Sequence, residues 1–222
     1  MLTKPFSSMS GLGGIIRNIL TGGQYPLVDI RSAVDGKTYR VRDMPDKQQA
    51  ADLMAKIRMR LIRIIEHFKA TYPDKPQVQR LMKNFVAEPS RMVEATPDAE
   101  HTSYSVNKGE AMHLCLRQRR AGDESLVDEN VMTFVTLHEL GHCMTESIGH
   151  GPDFWNNFAW ILKEAEANGI YKHQNFAAQS VPYCGVSITD QPSYDKSKDE
   201  EFASASSEAF TNPGQIGRIF YK

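Results

Sequence analysis

Apolar residues recur at intervals of three and four in the stretch that follows Pro45 and Asp46. This spacing places them on one face of an α-helix and predicts that the helix packs against a core. Pro73 and Pro76 end this pattern, and a shorter helical segment from Gln77 to Val86 follows. The stripe of the long helix consists of Ala50, Leu53, Met54, Ile57, Leu61, Ile64, Ile65 and Phe68.

Shorter apolar runs predict strands before and after these helices. The runs Leu27 to Val34 and Lys37 to Val41 flank Asp35-Gly36, a dipeptide typical of two-residue hairpin turns. The segment from Pro89 to His101 is predicted to be a loop. Beyond it, a strand with one buried face is predicted from three alternating residues, Met112, Leu114 and Leu116.

The most informative segment is His138-Glu139-Leu140-Gly141-His142. Asp128 is a suitable N-cap residue for a helix that contains it. The helix is further supported by the apolar spacing of Val131, Phe134, Val135 and Leu137. Because positions four apart share one face of a helix, His138 and His142 can bind one zinc ion, with Glu139 beside it as general base. The alternative interpretation is a buried helix with two hydrogen-bonded core histidines.

Gly141 is an unusual residue for the middle of such a helix. It costs about 1 kcal/mol relative to alanine, so we expect a neighbouring backbone or side chain to approach closely there.

His150 is the predicted third zinc ligand. Glu146 lies on the same stripe as His138, but it is about 12 Å away along the helix axis, whereas zinc bonds are only about 2 Å long. The chain must therefore turn back, and Gly149 is suited to end the helix and to bring His150 under the metal. Pro152 then begins a second helix, whose apolar stripe is Phe154, Phe158, Ile161, Leu162 and Ala165.

Other assignments stay open from the sequence. Glu146 or Asp153 could be the third ligand, or His150 could be a surface histidine. His113 is interpreted as an outward strand residue and is not assigned as a ligand. Two tyrosines could either stabilise an oxyanion near the zinc or serve in packing, Tyr104 and Tyr183.

The ligand set His138, His142 and His150 indicates a catalytic zinc. Three protein ligands leave one tetrahedral position for water, whose pKa zinc lowers to about 7. Glu139 would take the proton from this water and later pass it to the leaving amine. The predicted function is therefore that of a Zn²⁺-dependent endopeptidase acting on a protein or peptide substrate.

The segment from His138 to His142, together with Gly149-His150-Gly151-Pro152-Asp153-Phe154, resembles the WLM and SprT (Spartan) metallopeptidases. The segments Tyr104 to Glu110 and His113 to Arg117 resemble the strand pair that precedes the WLM active helix, and the whole resemblance covers roughly Tyr25 to Asp190. It implies an α+β, zincin-like metallopeptidase fold with a small sheet, in which the strand before the active helix lies at the cleft edge and can pair with an extended substrate.

The same resemblance implies a substrate class. Members of these groups act on proteins crosslinked to DNA, so DNA-crosslinked or DNA-associated proteins are the expected substrates. The chain also resembles WLM-like proteins of large DNA viruses, and this resemblance implies an intracellular or virion-associated protein.

Charge limits the partners that the sequence predicts. The net charge of −1 gives no overall attraction to nucleic acid, so a weak DNA contact would have to come from local patches. The alternative is that these patches are solvated faces. The candidate patches are Arg58, Arg60 and Arg63 on one helix and Arg117, Arg119 and Arg120 at a strand end.

Cysteine usage indicates a compartment. The three cysteines have no C-x-x-C spacing, and we expect reduced thiols in an intracellular protein. They are Cys115, Cys143 and Cys184.

With 222 residues, 41% of them hydrophobic, the chain can bury one core. We expect one metallopeptidase domain at residues 24–190, a flexible or partner-contacting leader at 1–23, and a polar tail at 191–222 that is disordered unless bound. No transmembrane segment is predicted, since the apolar patch of the leader is short and broken, and the oligomeric state stays open.

The rival functions are a zinc-bearing structural or virion-associated protein with little turnover, and a nucleic-acid-binding module. Glu139 favours the enzyme, because a structural zinc does not need a base.

Overall fold

A computed structural model describes residues 25–120 and 122–197, which form an α+β fold. The strands are β1 (Leu27–Arg31), β2 (Thr38–Arg42), β3 (Met92–Glu94), β4 (Tyr104–Val106), β5 (Ala111–Leu114), β6 (Val181–Tyr183) and β7 (Val186–Ile188). The α-helices of the described residues are α1 (Lys47–Thr71), α2 (Pro76–Asn84), α3 (Glu129–Met144) and α4 (Pro152–Ala167). The predicted leader at 1–23 and the end of the predicted tail, 198–222, lie outside the described residues.

Strands β1 to β5 form one mixed sheet in the order β1-β2-β3-β5-β4, and β6 and β7 form a separate antiparallel hairpin. Helix α1 packs on this sheet through the predicted stripe, all eight residues of which are buried. None of the described helices combines the length and the apolar character that a bilayer crossing requires.

The first hairpin is confirmed, but the predicted two-residue turn at Asp35-Gly36 is wrong. Pairing of β1 and β2 continues to the Ser32 amide, which donates to the Lys37 carbonyl at 2.8 Å, so the loop comprises residues 33–36. Asp52 on α1 accepts hydrogen bonds from the Ser32 hydroxyl at 2.7 Å and from the Ala33 amide at 2.8 Å. These contacts to α1 fix the longer loop, and a local turn motif cannot reveal them.

Strand β3 corrects the prediction that Pro89 to His101 is entirely loop. It lies between β2 and β5 and is parallel to both. Its three residues are too few to show alternation, and one of them is Glu94, a buried carboxylate. Glu94 accepts hydrogen bonds from the Arg42 amide at 2.7 Å and from Arg117 Nε at 2.9 Å, which compensate for its burial.

Strand β4, and not β5, forms the edge of the sheet next to α3, which is called the motif helix because it contains His138 to His142. The predicted strand pair is confirmed, since β4 pairs antiparallel with β5, and Met112, Leu114 and Leu116 are buried as predicted. However, β5 lies between β3 and β4. The expectation that the strand before the motif helix lies at the cleft edge is therefore wrong for β5.

Arg117 cannot belong to a DNA-binding patch, because it is only 2% exposed and forms ion pairs with Glu94 and Asp46. Arg119 is half-buried and donates to the Thr96 carbonyl at 2.9 Å. The predicted patch at the end of this strand is therefore wrong for Arg117. Members of the other patch also contact protein groups: Arg58 pairs with Asp35, Arg60 pairs with Glu129, and Arg63 donates to the Asn168 carbonyl.

Cys115 and Cys184 form a disulfide across 69 positions of the chain, so the prediction of reduced thiols is wrong for these two residues. The spacing of the cysteines could not reveal this contact, because it depends on how the β6–β7 hairpin packs beside the end of β5. Cys143 is a free thiol and is buried in α3.

Candidate metal centre

Helix α3 provides a buried platform for two of the three predicted ligands. The predicted N-cap is confirmed, since the Asp128 carboxylate accepts hydrogen bonds from the amides of Asn130 at 2.8 Å and Val131 at 3.1 Å. The helix packs against α1, α2 and α4, and nearly all of its residues are buried. His138 is buried and His142 is half-buried one turn later, which fixes both imidazoles on one face.

The chain reverses after α3 as the sequence predicted, but the helix ends at Met144 and not at Gly149, since Thr145 is already its C-cap. Gly149 has a φ of +87°, a left-handed conformation that favours glycine, and Pro152 occupies the first turn of α4. This turn brings His150 back to the two histidines of α3. The Glu146 carboxylate, by contrast, is 66% exposed and lies 3.6 Å from Arg80. The geometry therefore favours His150 over Glu146 as the third ligand.

The three histidines fit a zinc ion. Their ligand atoms all lie within 4.8 Å of one another. Among the described residues, these three side chains form a cluster that could hold a metal ion. The Nε2 atoms of His138 and His150 are 3.0 Å apart. A tetrahedral zinc with Zn–N bonds of about 2.0–2.1 Å would hold two such atoms about 3.3 Å apart, so only small adjustments are required.

Burial favours the neutral form of these imidazoles, which is the form that binds a metal. Burial lowers the pKa of His138 well below its usual value, and the neighbouring His142 and His150 lower it further. Burial also lowers the pKa of His142 to about 3, with His150 and Lys108 contributing through charge repulsion. The pKa of His150 is lowered by burial alone.

Phe154 packs against all three imidazoles. Its ring centroid lies 4.3 Å from that of His142, 4.6 Å from that of His150 and 4.8 Å from that of His138. A Cβ at Gly141 would lie 3.1 Å from Phe154 Cε2, which confirms the predicted close approach at this glycine. The sequence predicted Phe154 only as part of the apolar stripe of α4. Its position four residues after His150 was the sequence signal that could have placed its ring beside the histidines.

Glu139 is 4% exposed, and burial raises the pKa of its carboxyl group to about 8. The backbone amide of Ser105 donates a hydrogen bond to this carboxylate and opposes the shift. Ser105 is the middle residue of β4, so the edge strand directly contacts the predicted base. Sequence reasoning missed Ser105, because a backbone amide leaves no signal in the residue type.

The two tyrosine candidates make contacts that fit the packing role. The Tyr183 hydroxyl is buried and hydrogen-bonds to the Ser103 hydroxyl, whose oxygen also accepts from the Cys115 amide at 2.8 Å. The Tyr104 ring stacks on His113, with centroids 4.7 Å apart. His113 is half-buried on the face of β5 opposite to the buried Met112, as predicted.

The chain is similar to uncharacterized proteins of large DNA viruses. It is 29% identical over 163 residues to a protein of Acanthamoeba polyphaga mimivirus, a match that covers 72% of this chain and 82% of the viral protein. A protein of Invertebrate iridescent virus 6 is 35% identical over 69 residues, which cover 31% of this chain and 38% of that protein. A protein of Invertebrate iridescent virus 3 is 38% identical over 72 residues, which cover 32% of this chain and 43% of that protein. No family model and no solved structure matches the chain.

Proposed function

We propose that this protein is a zinc-dependent endopeptidase with a zincin-like core of the WLM and SprT kind. His138, His142 and His150 would bind the zinc ion, and Glu139 would act as general base. The observation that carries the proposal is the convergence of three imidazoles, two of them on the helix that also carries the buried Glu139 carboxyl group. A structural zinc site would need the ligands but not the carboxyl group.

When bound, zinc would supply Lewis acidity, which polarises a peptide carbonyl and lowers the pKa of water so that it can lose a proton and attack near neutral pH. The chain contributes the proton transfers. Glu139 in its ionised form accepts a proton from the attacking water and returns it to the amine that leaves. Its burial excludes bulk water from this exchange.

Strand β4 provides a route for the substrate. It is the edge strand of the sheet, and its Ser105 amide contacts Glu139. An extended peptide that pairs with this edge would run past the proposed base. Proteins associated with DNA are the substrates to assay first because of the resemblance to WLM and SprT enzymes, and an intracellular or virion location is proposed with them.

Peptide cleavage by Glu139→Gln tests the proposal. This substitution keeps the size of the side chain but removes the proton acceptor, so turnover should fall by about 10²-fold or more while zinc content and melting temperature stay close to those of the wild type. Glu146→Gln is the matched control, because Glu146 is an exposed glutamate of the loop between two ligands. Both variants are compared with the wild type at equal zinc occupancy.

Each outcome of this assay has one meaning. Loss of cleavage in the Glu139 variant alone supports the peptidase. Equal cleavage by the wild type and the Glu139 variant indicates a contaminating protease and overturns the proposed base. A zinc-loaded wild type that cleaves neither casein nor DNA-bound protein identifies a zinc-bearing structural protein instead.

A further inference from the structure

Lys108 connects the edge strand to the loop that carries the third ligand. It lies in the turn between β4 and β5, and its ammonium group donates hydrogen bonds to three successive carbonyls that follow α3. The distances are 2.9 Å to Thr145 and 3.1 Å to Ser147, and the carbonyl of Glu146 lies between them. These residues begin the loop between the end of α3 and His150.

The turn that presents Lys108 has an uncommon backbone conformation. Asn107 and Lys108 have φ values of +45° and +58°, the left-handed region that non-glycine residues rarely adopt. The next residue, Gly109, is pressed against two helices, because a Cβ there would lie 2.8 Å from the Asn84 carbonyl oxygen and 3.1 Å from Cys143 Sγ. Such a conformation persists only where surrounding contacts hold it. Tertiary contacts with α2 and α3 therefore fix the turn from which Lys108 reaches the loop.

We infer that Lys108 is a positioning residue for His150. Its ammonium group holds the backbone of residues 145–147 so that the imidazole of His150 meets the two imidazoles on α3. The inference rests on the proposed function, since it assumes that the three histidines bind zinc. Lys108 would then also link β4, the strand proposed to pair with the substrate, to the loop that carries His150. Three hydrogen bonds from one ammonium group use all of its donors, so the side chain has one well-defined position.

Lys108 could act through its charge or through the position in which it holds the loop, and the two roles predict opposite changes in zinc affinity. A positive charge beside the centre already disfavours protonation of His142, and it would repel a zinc dication in the same way. If Lys108 acted only through charge, its removal would strengthen zinc binding. If it positions His150, its removal weakens zinc binding, by about 10-fold or more on the scale of residues that orient metal ligands. The sign of the change therefore separates the two roles.

The test measures zinc affinity by competition with a chelator, at a temperature well below the melting of each apoprotein. Lys108→Met should bind zinc about 10-fold or more weakly, and Lys108→Arg, which can still donate to several carbonyls, should recover most of the loss. Lys83→Met is the matched control, because Lys83 is an exposed lysine of α2 and its loss removes the same charge without touching these carbonyls. If Lys108→Met does not fold, Lys108→Gln replaces it.

A double-mutant cycle with His150→Ala distinguishes positioning from general destabilisation. Once His150 is absent, loss of Lys108 should no longer weaken zinc binding, because the residue acts through that ligand. Unchanged or stronger binding by Lys108→Met, or a loss of the same size with and without His150, overturns the inference and leaves the proposed function intact. A wild type that binds no zinc overturns both.

Discussion

The backbone amide of Ser105 on the edge strand β4 donates a hydrogen bond to the Glu139 carboxylate on α3. In an antiparallel pair, the N–H and C=O groups of one residue point in the same direction. Ser105 therefore turns both groups away from β5 and towards the motif helix. The sheet edge and the proposed base therefore lie side by side, and under the proposed function a peptide paired with β4 would lie close to the Glu139 carboxyl group.

Zinc binding should release a proton from Glu139. Burial raises the pKa of this carboxyl group to about 8, so it is largely protonated in the apoprotein at pH 7, whereas burial lowers the pKa values of the three histidines and favours their neutral form. A zinc dication nearby favours the carboxylate and lowers the pKa of Glu139. Wild-type protein should then release about one more proton per zinc than Glu139→Gln.

Calorimetric titration with zinc in buffers of different ionisation enthalpy measures this number. The Glu139→Gln variant is itself the control, since it keeps all three histidines. Equal proton release by the two proteins would mean that Glu139 is already ionised in the apoprotein.

Zinc content should depend on His150 and not on Glu146. His150→Ala removes a donor that lies 3.0 Å from the Nε2 atom of His138 and should lower the zinc content well below one ion per chain. Glu146→Ala removes an exposed carboxylate that faces Arg80 and should leave the content unchanged. Elemental analysis of the dialysed proteins decides, and equal loading of the two variants would show that His150 is not a ligand.

Local signals predicted much of this centre. The spacing of His138 and His142, the N-cap at Asp128 and the glycine turn before His150 each act within a few residues, and the structure brings the three histidines together as those signals indicated. The contacts that the sequence did not reveal join distant segments. Ser105 contacts Glu139 through a backbone amide, and Cys115 reaches Cys184 across 69 positions. Neither residue type nor spacing records such contacts.

Charged side chains gave the least reliable predictions, because a sequence does not show whether a charge is solvated or paired. Arg117 follows an apolar strand next to other arginines and resembles part of a basic surface, yet it is buried against Glu94. Strand β3 was missed for a related reason, since it has only three residues and the last of them is the charged Glu94.

Arg117→Ala should destabilise the fold severely. It would leave the Glu94 carboxylate buried without its cation, a change that typically costs about 3–5 kcal/mol. Arg120→Ala, at an exposed neighbouring position, should leave the free energy of unfolding almost unchanged. Urea denaturation of both variants provides the comparison, and equal stability would refute the buried ion pair. A loss of DNA-stimulated cleavage in an Arg117 variant would therefore indicate unfolding and not a lost DNA contact.

The disulfide between Cys115 and Cys184 should make stability depend on redox conditions. It ties the turn of the β6–β7 hairpin to the end of β5, and closure of a loop across 69 positions should stabilise the fold by about 2–4 kcal/mol. Treatment with a phosphine reductant should lower the melting temperature of the wild type to that of a Cys115→Ala, Cys184→Ala double variant, which should itself not respond to the reductant. Cys143→Ala should retain the full response, because Cys143 is a free thiol.

Thiol titration of denatured protein purified without reductant should find one reactive cysteine before reduction and three afterwards. Three reactive thiols before reduction would instead show that the two sulfurs are adjacent but unbonded, and that the hairpin is held by packing alone.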